Sequence, residues 1–159
     1  MDCIIQSSTN ETKKDTKMKL HHMTHTEIKE VKKTGHFADV FFFGEEVHYM
    51  MEGREHHYTI DTNEVEFVNV QNFANYQANN ESKKIINQLA NALDIDYEEA
   101  FEVLCENEQY NDDDYAYLQI IQAKYAVTIG FDGAISQDEQ GDVYMIPMFG
   151  RESLLTKVK

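Results

Sequence analysis

The sequence has few of the residues that stabilise small secreted domains or bind nucleic acid. It contains two cysteines, one proline and no tryptophan among 159 residues. Two cysteines build no disulfide framework, so the sequence predicts free thiols at Cys3 and Cys105 and a cytoplasmic location. Fourteen Lys and Arg residues against 29 Asp and Glu residues give a formal net charge of −15. Such a surface repels nucleic acid and anionic membranes and attracts basic partners.

Long apolar segments are also missing from the chain. No apolar run reaches about 18 residues, so the sequence predicts no membrane-spanning helix. Residues 1–17 lack the apolar segment of a signal peptide and are rich in Ser, Thr, Asn and Lys, so we predict a disordered extension. The folded part is predicted as a single domain over residues 18–159, and the sequence leaves open whether translation starts at Met1 or Met18. A hydrophobic content of 42% is enough for one core.

Secondary-structure patterns divide the domain into strands, then helices, then strands. Apolar alternation and aromatic content predict strands at 17–25, 38–46 and 56–70 and a strand–turn–strand unit at 133–149. Capping-box spacing of Thr24 and Glu27, with a stop at Gly35, predicts a helix over 24–35. Further predicted helices are a short one at 45–53 and three longer ones at 79–95, 96–110 and 111–130. This order predicts an α+β fold.

Three segments carry residues capable of chemistry. The first ends the first strand with His22 and Thr24, the second is the aromatic strand around Phe41, and the third is the acidic turn with Asp138 and Glu139. Taken singly, each has a structural explanation: a capping threonine, a core aromatic residue and a solvated hairpin turn. The seven histidines have no Asp, Glu or Cys at ligand spacing, so no metal site is predicted.

Taken together and in order, the segments resemble the mono-ADP-ribosyltransferase family. Within that family the resemblance is to the phage anti-CRISPR type that inactivates the type I-F (Csy) surveillance complex. It covers residues 19–44 and 115–147 best. The matching positions are Leu20, His22, Thr24, Ile28, Val31, Gly35, Phe37, Phe41, Gly44, Leu118, Gln119, Ala126, Val127, Gly130, Phe131, Asp138, Glu139 and Gly141.

The resemblance implies a small split β-sheet with a helical middle segment, NAD as cofactor and transfer of ADP-ribose to a host protein. It implies that His22 binds a ribose hydroxyl and that Thr24 supports it or contacts the nicotinamide side. Phe37 and Phe41 would line the cofactor site. Asp138 aligns with the acidic residue of the anti-CRISPR enzymes, while Gln137-Asp138-Glu139 also fits the Gln/Glu-x-Glu spacing of other transferases. Neighbouring strand residues point to opposite faces, so the sequence leaves open whether Asp138 or Glu139 is catalytic.

A second hypothesis is a non-catalytic inhibitor. A net charge of −15 in a small protein is typical of a nucleic-acid mimic that blocks a basic groove stoichiometrically. The acidic segments around 106–108 and 111–115 would then matter, and His22 would not. The partner is a host protein in both hypotheses, plausibly a CRISPR surveillance complex, and neither involves direct nucleic-acid or membrane binding. A third hypothesis is a cytoplasmic α+β domain whose acidic turn is only a turn.

Overall fold

The computed structural model of the chain describes residues 18–24, 27–31, 39–45, 56–106, 115–138 and 141–158. These residues form seven strands and three α-helices, which confirms the α+β class. The strands are β1 Lys19–Thr24, β2 Val40–Phe43, β3 His56–Asp61, β4 Phe67–Asn69, β5 Gly133–Asp138, β6 Gly141–Pro147 and β7 Thr156–Lys157. The helices are α1 Asn80–Leu93, α2 Tyr97–Leu104 and α3 Tyr115–Thr128, with 3₁₀ turns at Thr62–Glu64, Val70–Asn75 and Glu152–Leu154.

The strands form two sheets. One has the order β1-β3-β7 and the other the order β2-β6-β5-β4. All neighbouring pairs are antiparallel except β4 and β5, which are parallel. Parallel neighbours need a long crossover connection, and α1, α2 and α3 lie in the connection between β4 and β5. The predicted split sheet with a helical middle segment is therefore confirmed.

The predicted middle helices are confirmed, and the residues that cap them explain where they begin and end. Asn79 and Ser82 form a capping box at the start of α1, and Asp96 accepts a hydrogen bond from the backbone N–H of Glu99 at the start of α2. After α3, Gly130 has φ +100°, a conformation that glycine adopts without strain. The helix α3 has no single buried stripe. It is buried on most of its circumference, including Gln119 and Gln122, because it packs against α1 and α2 as well as β5 and β6.

The four-stranded sheet has a core on each face. One face, here called the helix face, packs against the three helices through residues such as Val40, Met145 and Ala134. The opposite face, here called the inter-sheet face, packs against the sheet β1-β3-β7. Its core contains Leu20, Val31, Phe43, Ile60, Val65, Tyr144, Ile146 and Met148.

The predicted helix at 24–35 is wrong over the residues that the structure describes. Thr24 is the last residue of β1, and residues 27–31 are not helical. The backbone N–H of Ile28 donates to Tyr58 Oη at 2.8 Å, and that of Val31 donates to Glu152 Oε1 at 3.2 Å. These N–H groups bond to side chains of distant segments instead of carbonyls one helical turn back, because Ile28 and Val31 pack into the inter-sheet core.

Several predictions fall outside the described residues. They concern the extension 1–17, the cofactor-site residue Phe37, nearly all of the short helix at 45–53, the acidic segment 111–114, and Glu139. Within the part of the chain that is described, no helix is both long and apolar enough to cross a membrane.

Candidate functional site

The two sheets meet at one backbone bridge between β1 and the end of β2. The N–H of His21 donates to Gly44 O at 2.8 Å, and the N–H of Gly44 donates to His21 O at 3.0 Å. The bridge is isolated, so β1 and β2 do not continue as a ladder beyond it. A split of this kind creates a space between two strands that side chains must fill.

His22, the next residue of β1, fills the start of this space. Its Nδ1 lies 2.9 Å from Phe42 O, and its ring stacks on Phe41 with centroids 4.7 Å apart. Phe43 lies on its other side at 5.5 Å. A carbonyl oxygen only accepts hydrogen bonds, so Nδ1 carries the hydrogen, and in the neutral ring Nε2 is the acceptor. The structure thus brings together His22 and Phe41, two of the residues that the sequence assigned to one site.

Strand pairing adds further polar side chains on the same face as His22. His22 pairs with Tyr58, and Thr24 pairs with His56, and paired residues share a face. We call the set His22, Thr24, Phe41, His56 and Tyr58 the fork. Thr24 lies two residues after His22, on the same face of the strand and at the end of β1.

The sequence did not single out His56 as a binding residue. Its Nδ1 is buried and has no hydrogen-bond partner in the described structure. A buried nitrogen without a partner is costly, so such an atom points to a polar ligand or water at this place. The available signal was the alternation of His56, Tyr58 and Ile60, which places His56 on the face that continues into the core.

The other face of β1 carries a separate histidine pair. His21 Nδ1 lies 2.8 Å from His57 Nε2, and one of the two rings donates to the other. Burial lowers the pKa of His21, with further lowering by the charges of His57 and Lys19. Because His21 and His22 are sequence neighbours on one strand, they point to opposite faces. The pair is therefore not part of the fork.

The acidic turn lies on a different strand from the fork. β5 ends at Asp138, which pairs with Gly141, and both β2 and β6 lie between β5 and β1. The register places position 137 in one set with Ile135, on the inter-sheet face, and position 138 in the other set with Ala134 and Ser136. Asp138 is therefore separated from β1 by two strands, and the side chains of Asp138 and Glu139 lie outside the described residues.

The fork has the chemistry that a dinucleotide needs, but not that of a metal centre. Among the residues that the structure describes, no group of three or more His, Cys, Asp or Glu side chains is placed to hold a metal ion. Imidazole and hydroxyl groups such as those of His22, Thr24 and His56 are of the kind that binds ribose hydroxyls and an amide, and Phe41 suits a planar ring. Within the described residues, His56 Nδ1 has no partner. These residues therefore fit NAD.

Comparisons with known proteins support the fold. No protein-family model matches the sequence. No curated protein is similar to it. Among solved structures, the crystal structure of an anti-CRISPR protein superposes with a TM-score of 0.57 at 19% sequence identity, over 89% of this chain and 93% of that one. Similarity at this identity shows the fold alone, so we conclude that this α+β chain has an anti-CRISPR-like fold.

Proposed function

We propose that this protein is an NAD-dependent mono-ADP-ribosyltransferase of phage or mobile-element origin. It modifies a host defence protein in the host cytoplasm, for which we propose a subunit of a type I-F CRISPR surveillance complex, and so blocks binding of target DNA. The observation that carries the proposal is the fork, where a histidine of fixed tautomer, an aromatic ring and an unpartnered imidazole nitrogen share one face. The anti-CRISPR-like fold supports the choice of target class.

Each residue of the fork has a defined task in this proposal. When bound, NAD supplies an ADP-ribose group whose ribose carbon becomes positively charged as nicotinamide departs. His22, held by Phe42 O and Phe41, accepts a hydrogen bond from a ribose hydroxyl at Nε2. His56 and Thr24 bind the polar groups next to it, and Phe37 and Phe41 line the site.

The catalytic acid comes from the end of β5. A carboxylate stabilises positive charge best when it is held in place before the reaction and shielded from water. We assign this task to Asp138 or Glu139. Single substitutions are needed to choose between the two acids.

The test is intact-mass spectrometry of a purified surveillance complex after incubation with this protein, with and without NAD. We expect one subunit to gain the mass of ADP-ribose only when NAD is present. The double variant Asp138→Asn, Glu139→Gln should lose the modification, and the two single variants should identify the catalytic acid. Glu98→Gln, Glu99→Gln is the matched control, since it also removes two neighbouring acids, both exposed on α2. Modification that persists in the Asp138 and Glu139 double variant would refute the catalytic assignment.

A second candidate function is supported by the distribution of charge. Between Lys84 and Lys124 the chain has no basic residue, and the exposed acidic residues there include Asp94, Asp96, Glu98, Glu99 and Glu102. A one-sided acidic surface of this kind suits a DNA mimic that occupies a basic groove. One acid of the predicted mimic surface does not fit it, because Glu106 is half-buried and bonded to Tyr115 and Ser136.

The same two double variants separate the candidates. A mimic inhibits at equimolar dose without NAD, weakens as salt rises and loses potency in Glu98→Gln, Glu99→Gln. An enzyme inhibits at substoichiometric dose, needs NAD and loses potency in Asp138→Asn, Glu139→Gln. Inhibition of DNA binding by the surveillance complex, measured for each variant with and without NAD, distinguishes the two functions.

A further inference from the structure

A polar cluster lies on the helix face beside the end of β5. It consists of Glu106, Tyr115, Gln122 and Ser136, and we call it the Glu106 cluster. Glu106 Oε2 lies 2.8 Å from Ser136 Oγ, 3.0 Å from Tyr115 Oη and 3.2 Å from Gln122 Nε2. Three side-chain donor groups therefore lie within hydrogen-bond distance of one carboxylate oxygen, in a region that is otherwise packed with apolar side chains.

The donors and acceptors of the cluster can be assigned. Gln122 is fully buried, and its Nε2 also donates to Leu104 O at 2.9 Å. Both partners of Nε2 only accept, so the orientation of the amide is determined, and its Oε1 is left buried without a partner. Ser136, 1% exposed, has Glu106 as its acceptor. The network therefore depends on the carboxylate of Glu106.

The backbone at Glu106 is strained. Its φ of +63° is a left-handed conformation, which costs a residue with a side chain roughly 1–2 kcal/mol. Glycine would end α2 at this position without that cost. Strain of this kind persists where surrounding contacts compensate for it and is common near functional sites. The contacts here are the three hydrogen bonds to its side chain.

The cluster holds the part of β5 that leads into the acidic turn. Tyr115 Oη lies 3.0 Å from Gln137 O and 2.9 Å from Ser136 Oγ. Gln137 immediately precedes Asp138. The single hydrogen of the Tyr115 hydroxyl can be donated to Glu106 Oε2 or to Gln137 O, so this hydroxyl lies between the carboxylate and the backbone next to the two candidate acids.

We propose that Glu106 and Tyr115 are positioning residues, which hold the end of β5 so that the catalytic acid keeps its place relative to the bound substrate. This inference rests on the proposed function. Neither residue contacts substrate; both act through Ser136 and the carbonyl of Gln137. A displacement of about 1 Å in a catalytic group lowers turnover by up to about 100-fold, which sets the scale of the expected effect.

The test compares Tyr115→Phe with Tyr117→Phe, two variants that each remove one hydroxyl from α3. Tyr117 is half-buried among the helices and has no part in the cluster. We expect Tyr115→Phe to lower kcat for NAD consumption about 10-fold to 100-fold with KM for NAD unchanged. Tyr117→Phe should change neither. Glu106→Ala should behave like Tyr115→Phe, and Glu106→Gln, which keeps an acceptor oxygen, should recover part of kcat.

A second measurement separates failure of this inference from failure of the proposed function. Hydrogen exchange of the backbone amides in β5 and β6 reports the anchoring without any activity. We expect the amides at the end of β5 to exchange faster in Tyr115→Phe and Glu106→Ala than in the wild type. In Tyr117→Phe the exchange rate should be unchanged. Unchanged exchange would overturn the inference, as would faster exchange with unchanged kcat in an active enzyme. A wild-type protein that consumes no NAD would overturn both the proposed function and the positioning role, even if exchange showed that the cluster anchors β5.

Discussion

The two faces of the four-stranded sheet are covered by different kinds of structure. On the helix face, Phe73, Leu89 and Tyr125 are fully buried in a core built by three helices. On the inter-sheet face, a second sheet covers the core, and half-buried groups such as His22 and His56 lie where the sheets separate. The helix face is thus covered by continuous apolar packing, whereas among the described residues a single isolated backbone bridge joins the two sheets.

This difference indicates how stability and function are divided in the molecule. Side chains of the helix face contribute burial, with about 25 cal/mol gained per Å² of apolar surface removed from water. Side chains at the fork lose part of that gain, and among the described residues His56 Nδ1 has no hydrogen-bond partner there. Substitutions on the helix face should therefore change stability more, and those at the fork should change binding more.

The largest effect is expected from removing an aromatic ring on the helix face. Phe73→Ala deletes a fully buried ring that lies 4.7 Å from Tyr125, centroid to centroid. We expect a loss of about 3–5 kcal/mol in the free energy of unfolding, measured with urea. Phe41→Ala is the matched variant at the fork; it is half-buried, so its loss should be clearly smaller. Equal losses would contradict the division between the faces.

A smaller loss of stability is expected at Gly133, where β5 and β6 approach each other closely. In Gly133→Ala, the new Cβ would lie 2.2 Å from the backbone oxygen of Met145 and 3.0 Å from Ile146 Cγ1. Backbone cannot move away cheaply within a paired strand, so we expect a loss of about 1–3 kcal/mol in the free energy of unfolding.

Gly130→Ala provides the control for this substitution. Its Cβ would meet nothing within 4 Å, so its effect should come only from the positive φ of +100°. A Gly133→Ala protein as stable as the wild type in urea would show that β5 and β6 are less closely paired than described.

Removing a tyrosine hydroxyl should change stability in opposite directions on the two faces of the sheet. Tyr125 Oη is buried without a partner, so Tyr125→Phe should stabilise the protein by about 1 kcal/mol. Tyr58 Oη accepts the N–H of Ile28, so Tyr58→Phe should destabilise it by about 1 kcal/mol. Thermal unfolding of both variants tests this pair, and a loss of stability in Tyr125→Phe would mean that its hydroxyl does have a partner.

The same tyrosine predicts a loss of stability in alkali. Burial raises the pKa of Tyr125 to about 12 from an ordinary value of 10.0, with smaller effects of Tyr97 and Cys105. The folded state then holds its proton in a range where the unfolded state releases it. Stability is complete below about pH 10 and falls as the pH rises toward 12. The urea midpoint of unfolding should fall less steeply between about pH 10 and pH 12 in Tyr125→Phe than in the wild type. The same dependence of the midpoint on pH in both proteins would exclude Tyr125 as its source.

The smallest effect is expected at the histidine pair. The pKa of His21 is lowered from 6.5, so the unfolded chain binds the proton more readily. Stability is therefore present above about pH 6.5 and declines as the pH falls through the lower pKa of the folded state. His21→Gln should reduce the change in unfolding free energy between pH 8 and pH 5. The same pH dependence in that variant and the wild type would exclude His21 as its source.

Local patterns predicted the helices well because helix formation depends on near neighbours. The apolar period of 79–95 predicts a stripe with Ile86 and Leu89, and both are buried on α1; Asp96 is a good capping residue by type, and it does cap α2. The prediction of a helix at 24–35 was wrong over the described residues, although Thr24 and Glu27 have the spacing of a capping box. Backbone N–H groups of this segment are engaged by Tyr58 and Glu152, which lie far away in sequence, and such competition leaves no local signal.

Some parts of the candidate site could likewise be predicted from the sequence and others could not. A family resemblance assigned His22 and Phe41 to one cofactor site, and in the structure their rings stack. The roles of His22, Thr24, Phe37, Phe41, Asp138 and Glu139 in binding and catalysis stay predictions. The Glu106 cluster could not be found from sequence, because its members come from three separate segments and none belongs to a motif.

Composition and periodicity by themselves determined an acidic α+β chain with three central helices and a terminal strand–turn–strand unit. These properties depend on residue counts and on contacts within a few residues. Only the tertiary structure decided where the sheet splits, which face each histidine of β1 occupies, and that a strained glutamate supports the end of β5. Those outcomes depend on hydrogen bonds and packing between segments far apart in the chain, whose energies no local pattern records.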